Sequence, residues 1–250
     1  MLRFCQIFSK FTGLKWRLAL LISIKIFEVF TLVILLCLFV FPATAYDDKD
    51  SWDIKGLDTA RDIDYLSDVE KDVILEMNKV RANPKQYAEL YIKPMLNNFD
   101  GLIYKEVGKI DLRTVEGKAA VEECIETLSK AVTVGALIPE LGLSKAGKDH
   151  CNDQGPSGAT GHTGLDGSSM LNRIKRHGAG YSAAGENISF GNNVARDIVL
   201  QLLIDDGVLS RGHLKNIMDK DFTQTGVAIG THATYRHMCV IVYANGYKSN

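Results

Sequence analysis

The sequence has no excess of basic charge, because 29 Lys and Arg residues stand against 30 Asp and Glu residues, which gives a net charge of −1. Proteins that bind nucleic acid neutralise phosphates with clustered basic side chains. Beyond its first 28 residues, this chain has no basic stripe. We therefore expect no nucleic-acid partner.

The sequence also lacks the short motifs that mark several enzyme classes. It contains no HExxH zinc motif, no GxSxG nucleophile elbow, no Walker loop and no internal repeat. These absences remove the best-marked metalloproteases, α/β-hydrolases and P-loop enzymes. Any active or binding site must be assembled from residues that are distant in the chain.

Cysteine is scarce, with five residues in 250, of which Cys5 and Cys37 belong to the N-terminal segment. The remaining three are an odd number, which allows one disulfide and one spare thiol. Cys151 lies on a predicted helix before a glycine-rich loop and Cys239 in a β-rich run, whereas Cys124 lies on an apolar helix face typical of a buried thiol. We expect a Cys151–Cys239 disulfide. The alternative is three reduced core cysteines.

The N-terminus resembles a targeting segment. Residues 1–28 carry five basic side chains, an apolar run follows from Val29 to Phe41, and Ala43-Thr44-Ala45 ends it. This order is typical of a secretory signal peptide, which we place at residues 1–45. The alternative is an uncleaved signal anchor, since Trp16–Ile26 is also fairly apolar. The chain is therefore expected outside the cell, or held at a membrane if the anchor is retained.

The rest of the chain is organised as helices first and strands last. Residues 46–65 are polar and acidic without apolar periodicity, which predicts a flexible leader. Ser67 followed by Glu70 predicts a capping box at the start of a helix. Residues 225–230 and 238–243 are β-rich. This order predicts an α+β fold or helices packed on an antiparallel sheet.

Three glycine-flanked islands carry ionisable side chains: GHTG with His162, GENI with Glu186, and RGH with His213. Histidine and glutamate can share a proton or coordinate a cation. The islands are 24 and 27 residues apart, so only the fold can bring them together. They are candidates for one polar cavity.

These islands have a characteristic order when they are read with their neighbours. The chain shows R-x-N-P-x-x-Y at Arg81–Tyr87, then GHTG, GENI, RGHLKNI and F-T-Q-x-G-V from Phe222. This series resembles the CAP superfamily, which comprises cysteine-rich secretory proteins, antigen 5 and pathogenesis-related 1 proteins. The chain is most similar to a short microbial type. We assign residues 66–250 to this domain.

The resemblance implies a three-layer α-β-α sandwich with a central, mainly antiparallel sheet and a cavity lined by His162, Glu186 and His213. Many relatives add a second glutamate on the helix before the last histidine, but Arg196 stands near that position. Asp206, or its neighbour Asp205, is the candidate replacement.

The resemblance further implies an extracellular, non-enzymatic module that binds a lipid, a sterol or another small ligand. Two neutral imidazoles, from His162 and His213, would suit a divalent cation such as Zn²⁺. The alternative is a metal-assisted hydrolase or protease. Glu186 has a second interpretation, as a buried brace between loops. We expect the sequon at Asn187 to be buried and unglycosylated.

Overall fold

The computed structural model describes residues 52–250. The predicted signal peptide at residues 1–45 and the alternative anchor lie outside the described residues.

The described residues form seven α-helices and nine β-strands. The helices are α1 (Asp68–Ala82), α2 (Pro84–Tyr87), α3 (Lys118–Lys130), α4 (Leu141–Gln154), α5 (Met170–His177), α6 (Ala195–Ile204) and α7 (Gly212–Met218). The strands are β1 (Phe99–Asp100), β2 (Ile103–Tyr104), β3 (Leu112–Arg113), β4 (Ile138–Pro139), β5 (Gly178–Ala179), β6 (Ala183–Phe190), β7 (Gln224–His232), β8 (Arg236–Asn245) and β9 (Lys248–Ser249). A π-helix at Ala88–Ile92 and 3₁₀ turns at Lys93–Asn98 and Gly155–Ser157 complete the list.

The start of α1 is fixed by local side chains. The Ser67 hydroxyl accepts the Glu70 amide, and the Glu70 carboxylate accepts the Ser67 amide in return. This reciprocal arrangement satisfies amide groups that have no partner within the helix. The predicted capping box is confirmed, and Ser169 and Asn172 make the same arrangement at α5.

The central sheet has the strand order β4-β7-β8-β6. β7 and β8 are antiparallel neighbours, β6 pairs antiparallel with β8, and the short β4 pairs parallel with β7. β6 therefore lies at one edge of the sheet. The candidate residue Glu186 lies on this edge strand.

Helices cover both faces of this sheet, as alternating side chains of β8 show. Cys239, Ile241 and Tyr243 pack in the larger core with helices α1, α3, α6 and α7. Val240 and Val242 pack in a smaller core with α4 and α5. Successive strand residues point to opposite faces, so β8 contributes to both cores. The α+β prediction is confirmed, and the layers are α-β-α.

A glycine allows α4 to lie directly on β7. A Cβ atom added to Gly226 would come within 2.1 Å of the Ser144 amide nitrogen. No side chain fits between backbones at that distance, so only glycine avoids a steric clash at position 226. This close contact fixes α4, which leads into the loop of His162.

Arg81 links the first helix to the last part of the fold. Its side chain is almost fully buried and donates to the carbonyl oxygens of Gly135, Ile217, Asp219 and Phe222 at 2.7–2.9 Å. Burial lowers its pKa. Because the carbonyls of Ile217 and Asp219 close helix α7, Arg81 holds the C-terminal end of the helix that carries His213.

Residues 52–65 depart from the expected flexible leader. The Trp52 indole is buried and donates to the Tyr91 hydroxyl at 2.8 Å. Ala60 is fully buried, and Ile54 and Leu57 pack against the larger core. These apolar side chains have no helical or strand spacing, so the sequence pattern does not indicate that they join the core.

The predicted Cys151–Cys239 disulfide is wrong. All three cysteines of the described chain are free and buried. Cys239 contributes to the larger core and Cys151 to the smaller one, so the sheet lies between them. Burial raises the pKa of Cys124 and Cys151 to about 12 and that of Cys239 well above its ordinary value. The observed arrangement is the alternative of three reduced core thiols.

Candidate functional site

His162 is held against the edge strand by a buried carboxylate. It lies in the loop between the 3₁₀ turn and α5, and its Nδ1 is 2.9 Å from Oε1 of Glu186. The histidine side chain is 58% exposed, whereas that of Glu186 is 2% exposed. The carboxylate fixes the ring while the rest of the imidazole faces outward.

Glu186 is also paired with a buried arginine that sequence reasoning missed. Nη2 of Arg173 lies 2.8 Å and 3.0 Å from the two carboxylate oxygens, and both side chains are 2% exposed. The same Nη2 donates to the carbonyl of His162, and Nη1 donates to the carbonyl of Ser168. Glu186 thus joins β6, α5 and the His162 loop. Glu186 is therefore a brace of another kind than expected: its main partner is an arginine, and its side chain contacts only one of the two histidine-bearing segments.

His213 is oriented by Asp205 in a similar way. Asp205 accepts the His213 backbone amide at 3.0 Å through Oδ2, and its Oδ1 is 2.5 Å from Nδ1 of the His213 ring. Asp205 ends helix α6 in the left-handed region, at φ 54°, which turns its buried carboxylate toward the start of α7. Of the two candidate acids, Asp205 is therefore the one that contacts His213.

The prediction that Asp206 lines the cavity is wrong. Its carboxylate accepts the backbone amides of Val115 and Glu116, at 2.7 and 2.8 Å, just before α3. Nearby, the Arg211 guanidinium lowers the pKa of Glu116 to about 2. Asp206 therefore ties the α6–α7 turn to α3, and its neighbour Asp205 contacts the histidine.

Asn187, the residue after Glu186, contacts the backbone of His213. Asn187 is fully buried, and its Nδ2 donates to the His213 carbonyl at 3.0 Å and to the Tyr243 hydroxyl at 3.1 Å. Asn216 donates to its Oδ1 at 2.8 Å. The expected burial of the sequon asparagine is confirmed, and its side chain has three partners.

Adjacent residues of β6 therefore hold the two histidines from opposite sides. Glu186 lies opposite Val242, which belongs to the smaller core, and Asn187 lies opposite Ile241, which belongs to the larger core. His162 is consequently held on the α4–α5 side of the edge strand and His213 on the α6–α7 side.

Both imidazoles have the same chemical arrangement. Each ring presents Nδ1 to a carboxylate, so a neutral ring that donates from Nδ1 leaves the Nε2 lone pair for an external ligand. A carboxylate at the second ring nitrogen is the usual arrangement for a metal-binding histidine. Within residues 52–250, however, no group of three or more His, Cys, Asp or Glu side chains is close enough to hold a metal. The arrangement therefore offers a metal ion the Nε2 atoms of two imidazole rings as ligands.

A third histidine lies beneath the loop. His150 on α4 is fully buried, and its Nε2 donates to the Gly161 carbonyl at 2.9 Å. Burial lowers its pKa, and the charge of Arg173 adds to this effect, while the Gly161 bond and the nearby Glu186 and Asp153 oppose it. His150 is a neutral structural residue.

An open pocket of about 410 Å³ lies elsewhere on the domain. Its lining comes from α4, the following 3₁₀ turn, β7 and β8, and includes Lys148, Cys151, Ile229 and His237. None of the residues that hold His162 or His213 lines it. This pocket and the histidine site are separate features.

Comparison with known families identifies the region that contains the site. Residues 134–243 match the cysteine-rich secretory protein family, or CAP. This region includes α4, the three glycine-flanked islands and most of the central sheet, whereas the Arg81–Tyr87 motif precedes it. The CAP resemblance is confirmed over these residues. No curated protein gives a significant match.

Two solved structures are similar to part of the chain. An extracellular protein containing an SCP domain from Bacillus anthracis shares 20% identity over 45% of this chain, with a TM-score of 0.37. This chain covers 34% of that protein, about a third of its length. An outer surface protein from Borrelia burgdorferi shares 18% identity over 53% of this chain and 97% of its own, with a TM-score of 0.40.

We predict that Glu186→Ala lowers the free energy of unfolding by about 3–5 kcal/mol, because it leaves the Arg173 charge buried without a partner. Glu186→Gln should cost less, since one amide oxygen still accepts from Arg173. Urea unfolding followed by circular dichroism measures both. Glu89→Ala, which removes an exposed pair with Lys93, is the control and should change stability by less than about 1 kcal/mol. Equal, small effects of all three substitutions would contradict the brace.

Acidification should destabilise the domain through His150. The pKa of this histidine is lowered in the folded state from its ordinary value of 6.5, so unfolded chains bind the proton more readily. The stability from a neutral His150 is complete above about pH 6.5 and is lost as the pH falls below it. His150→Gln keeps an N–H donor but does not titrate. Urea unfolding at pH 7.5 and 5.5 should show a smaller loss in this variant than in the wild type; equal losses would exclude His150 as the source.

Proposed function

We propose that this chain, whose residues 134–243 match the CAP family, is an exported binding module that takes a divalent cation at His162 and His213 and a lipid or other small ligand. Export is inferred from the signal-like sequence of residues 1–45. Within residues 52–250, no helix is long and apolar enough to cross a bilayer.

The observation that carries the cation proposal is the shared orientation of the two imidazoles. Glu186 and Asp205 each engage Nδ1 of one ring from a buried position, which fixes the orientation of the ring. His162 is more than half exposed and His213 is partly exposed, so a hydrated cation could approach either ring from solvent. Zn²⁺ prefers such nitrogen ligands and completes its coordination with water. Two protein donors imply modest affinity.

The chemistry around the histidines favours binding over covalent catalysis. In both rings Nδ1 is committed to a carboxylate, and among the contacts of the described residues no Ser, Thr or Cys side chain lies at hydrogen-bond distance from either ring. The thiols of Cys124 and Cys151 are buried with pKa values of about 12, which keeps them protonated and unreactive. A small ligand could instead occupy the 410 Å³ pocket, whose volume lies in the range of small-molecule sites.

We expect calorimetry to show zinc binding that is lost in a His162→Ala/His213→Ala double variant. Glu186→Gln and Asp205→Asn should each weaken binding by about 10–100-fold, because they remove the carboxylate behind a ligand. A His177→Ala/His237→Ala double variant is the control for histidine loss elsewhere. Wild-type zinc affinity in the His162/His213 double variant would remove the cation site from the proposal.

The ligand proposal is tested on protein purified from culture medium. Solvent extraction followed by mass spectrometry should release a lipid or another apolar small molecule that is missing from heat-denatured control protein. The same preparation, incubated with zinc and a panel of peptides and esters, should give no turnover. Zinc-dependent turnover that disappears in the His162→Ala/His213→Ala variant would instead establish the metal-assisted hydrolase.

A further inference from the structure

Three consecutive backbone carbonyls of the His162 loop are held by three buried side chains. His150 donates to the carbonyl of Gly161 at 2.9 Å, Arg173 to that of His162 at 3.2 Å, and Gln154 to that of Thr163 at 2.8 Å. All three side chains are at most 2% exposed. Surface loops usually leave their carbonyls to water, so this series of internal bonds needs a specific explanation.

The two helices that flank the loop supply these donors. His150 and Gln154 are four residues apart on α4 and therefore project from the same face of that helix. Arg173 comes from α5, which packs beside α4. The loop crosses both helices, so each peptide group from 161 to 163 meets a different donor. We call these three side chains the carbonyl platform.

The carbonyl platform removes the rotational freedom of the peptides around His162. A peptide plane turns only when its carbonyl turns, and turning the carbonyl of Gly161 or Thr163 would leave the buried donor of His150 or Gln154 without an acceptor. Gly161 completes the arrangement, because its φ of +104° lies where side chains rarely fit, although the space around it is open. Glycine is required there by backbone conformation.

The platform and Glu186 act on different parts of His162. Glu186 fixes the rotation of the ring through Nδ1, whereas the platform fixes the backbone from which the ring projects. Both are needed for Nε2 to have one position before a ligand arrives. Arg173 contributes to both, since its Nη2 contacts the Glu186 carboxylate and the His162 carbonyl.

We propose that His150, Gln154 and Arg173 are positioning residues that preorganise His162 by holding the carbonyls of residues 161–163. The importance of this positioning rests on the proposed function, in which His162 is a ligand. Preorganisation lowers the entropy that ordering a loop would otherwise cost on binding. The platform therefore predicts that the loop is already ordered in zinc-free protein.

The test uses zinc-free protein first. Hydrogen exchange measures the amides of residues 158–168, and ¹⁵N shifts of the His162 ring report which nitrogen carries the proton. His150→Leu and Gln154→Leu each remove one donor and should speed exchange of the loop by about fivefold to tenfold, with Nδ1 of His162 losing its fixed proton. His150→Gln keeps an amide donor and should restore both readouts toward the wild type. Lys145→Ala, at an exposed position of α4, is the control.

Zinc affinity is then measured on the same variants. Weaker binding in the two leucine variants, with recovery in His150→Gln, is the expected result. If the wild type binds no zinc, the proposed function fails, while the platform is still judged by exchange and by the His162 ring shifts. Wild-type exchange and ring shifts in His150→Leu and Gln154→Leu would overturn the platform whatever the zinc result. If either leucine variant fails to fold, His150→Gln is compared with the control Lys145→Ala. Faster loop exchange in His150→Gln, despite its retained donor, overturns the proposal. Wild-type exchange in His150→Gln supports it.

Discussion

The ion pair between Glu186 and Arg173 is the interaction on which the His162 side of the site depends. Taking two charges out of water costs several kcal/mol for each ion, and only close geometry and further hydrogen bonds offset that cost. Here Arg173 also donates to the carbonyls of His162 and Ser168, and Glu186 also engages the His162 ring. The charges are therefore compensated only when the edge strand, α5 and the histidine loop are all in place. This shared requirement makes the position of His162 a property of the folded domain.

The central sheet separates two cores that support the two histidines independently. The larger core carries α6 and α7 with His213, and the smaller core carries α4 and α5 beneath His162. The same separation explains the free thiols. Cys151 lies on a helix that packs against the sheet, and Cys239 lies on a strand of that sheet. Their side chains are on opposite faces, so a disulfide would have to pass through the sheet. The sequence prediction correctly packed the helix of Cys151 on the sheet of Cys239, but it could not tell that the Cys239 side chain points to the other face.

Local features of the structure could be read from sequence, and features decided by tertiary contacts could not. The caps at Ser67 and Ser169 depend on side chains three residues away, and the islands around His162, Glu186 and His213 could be recognised by their glycines. The choice between Asp205 and Asp206 depends on a left-handed residue at a helix end, which the sequence DDG does not settle. Arg173 stands in NRIKRH, which looks like a solvated basic helix, and its burial follows only from the packing of α5.

Glu186 and Asn187 are neighbours on one strand, so their side chains point to opposite faces of the sheet. The register of β6 therefore determines which face contacts His162 and which contacts His213. Strand geometry has a period of two residues, so displacing β6 by one residue would exchange the two faces. Glu186 would then point into the larger core, away from Arg173, and Asn187 would point toward the arginine. In the evolution of such domains, deletions or insertions of one residue within this strand should be eliminated, while changes of length in the loops on either side should be tolerated. The histidine site therefore depends on the number of residues in β6 as well as on their chemical identity.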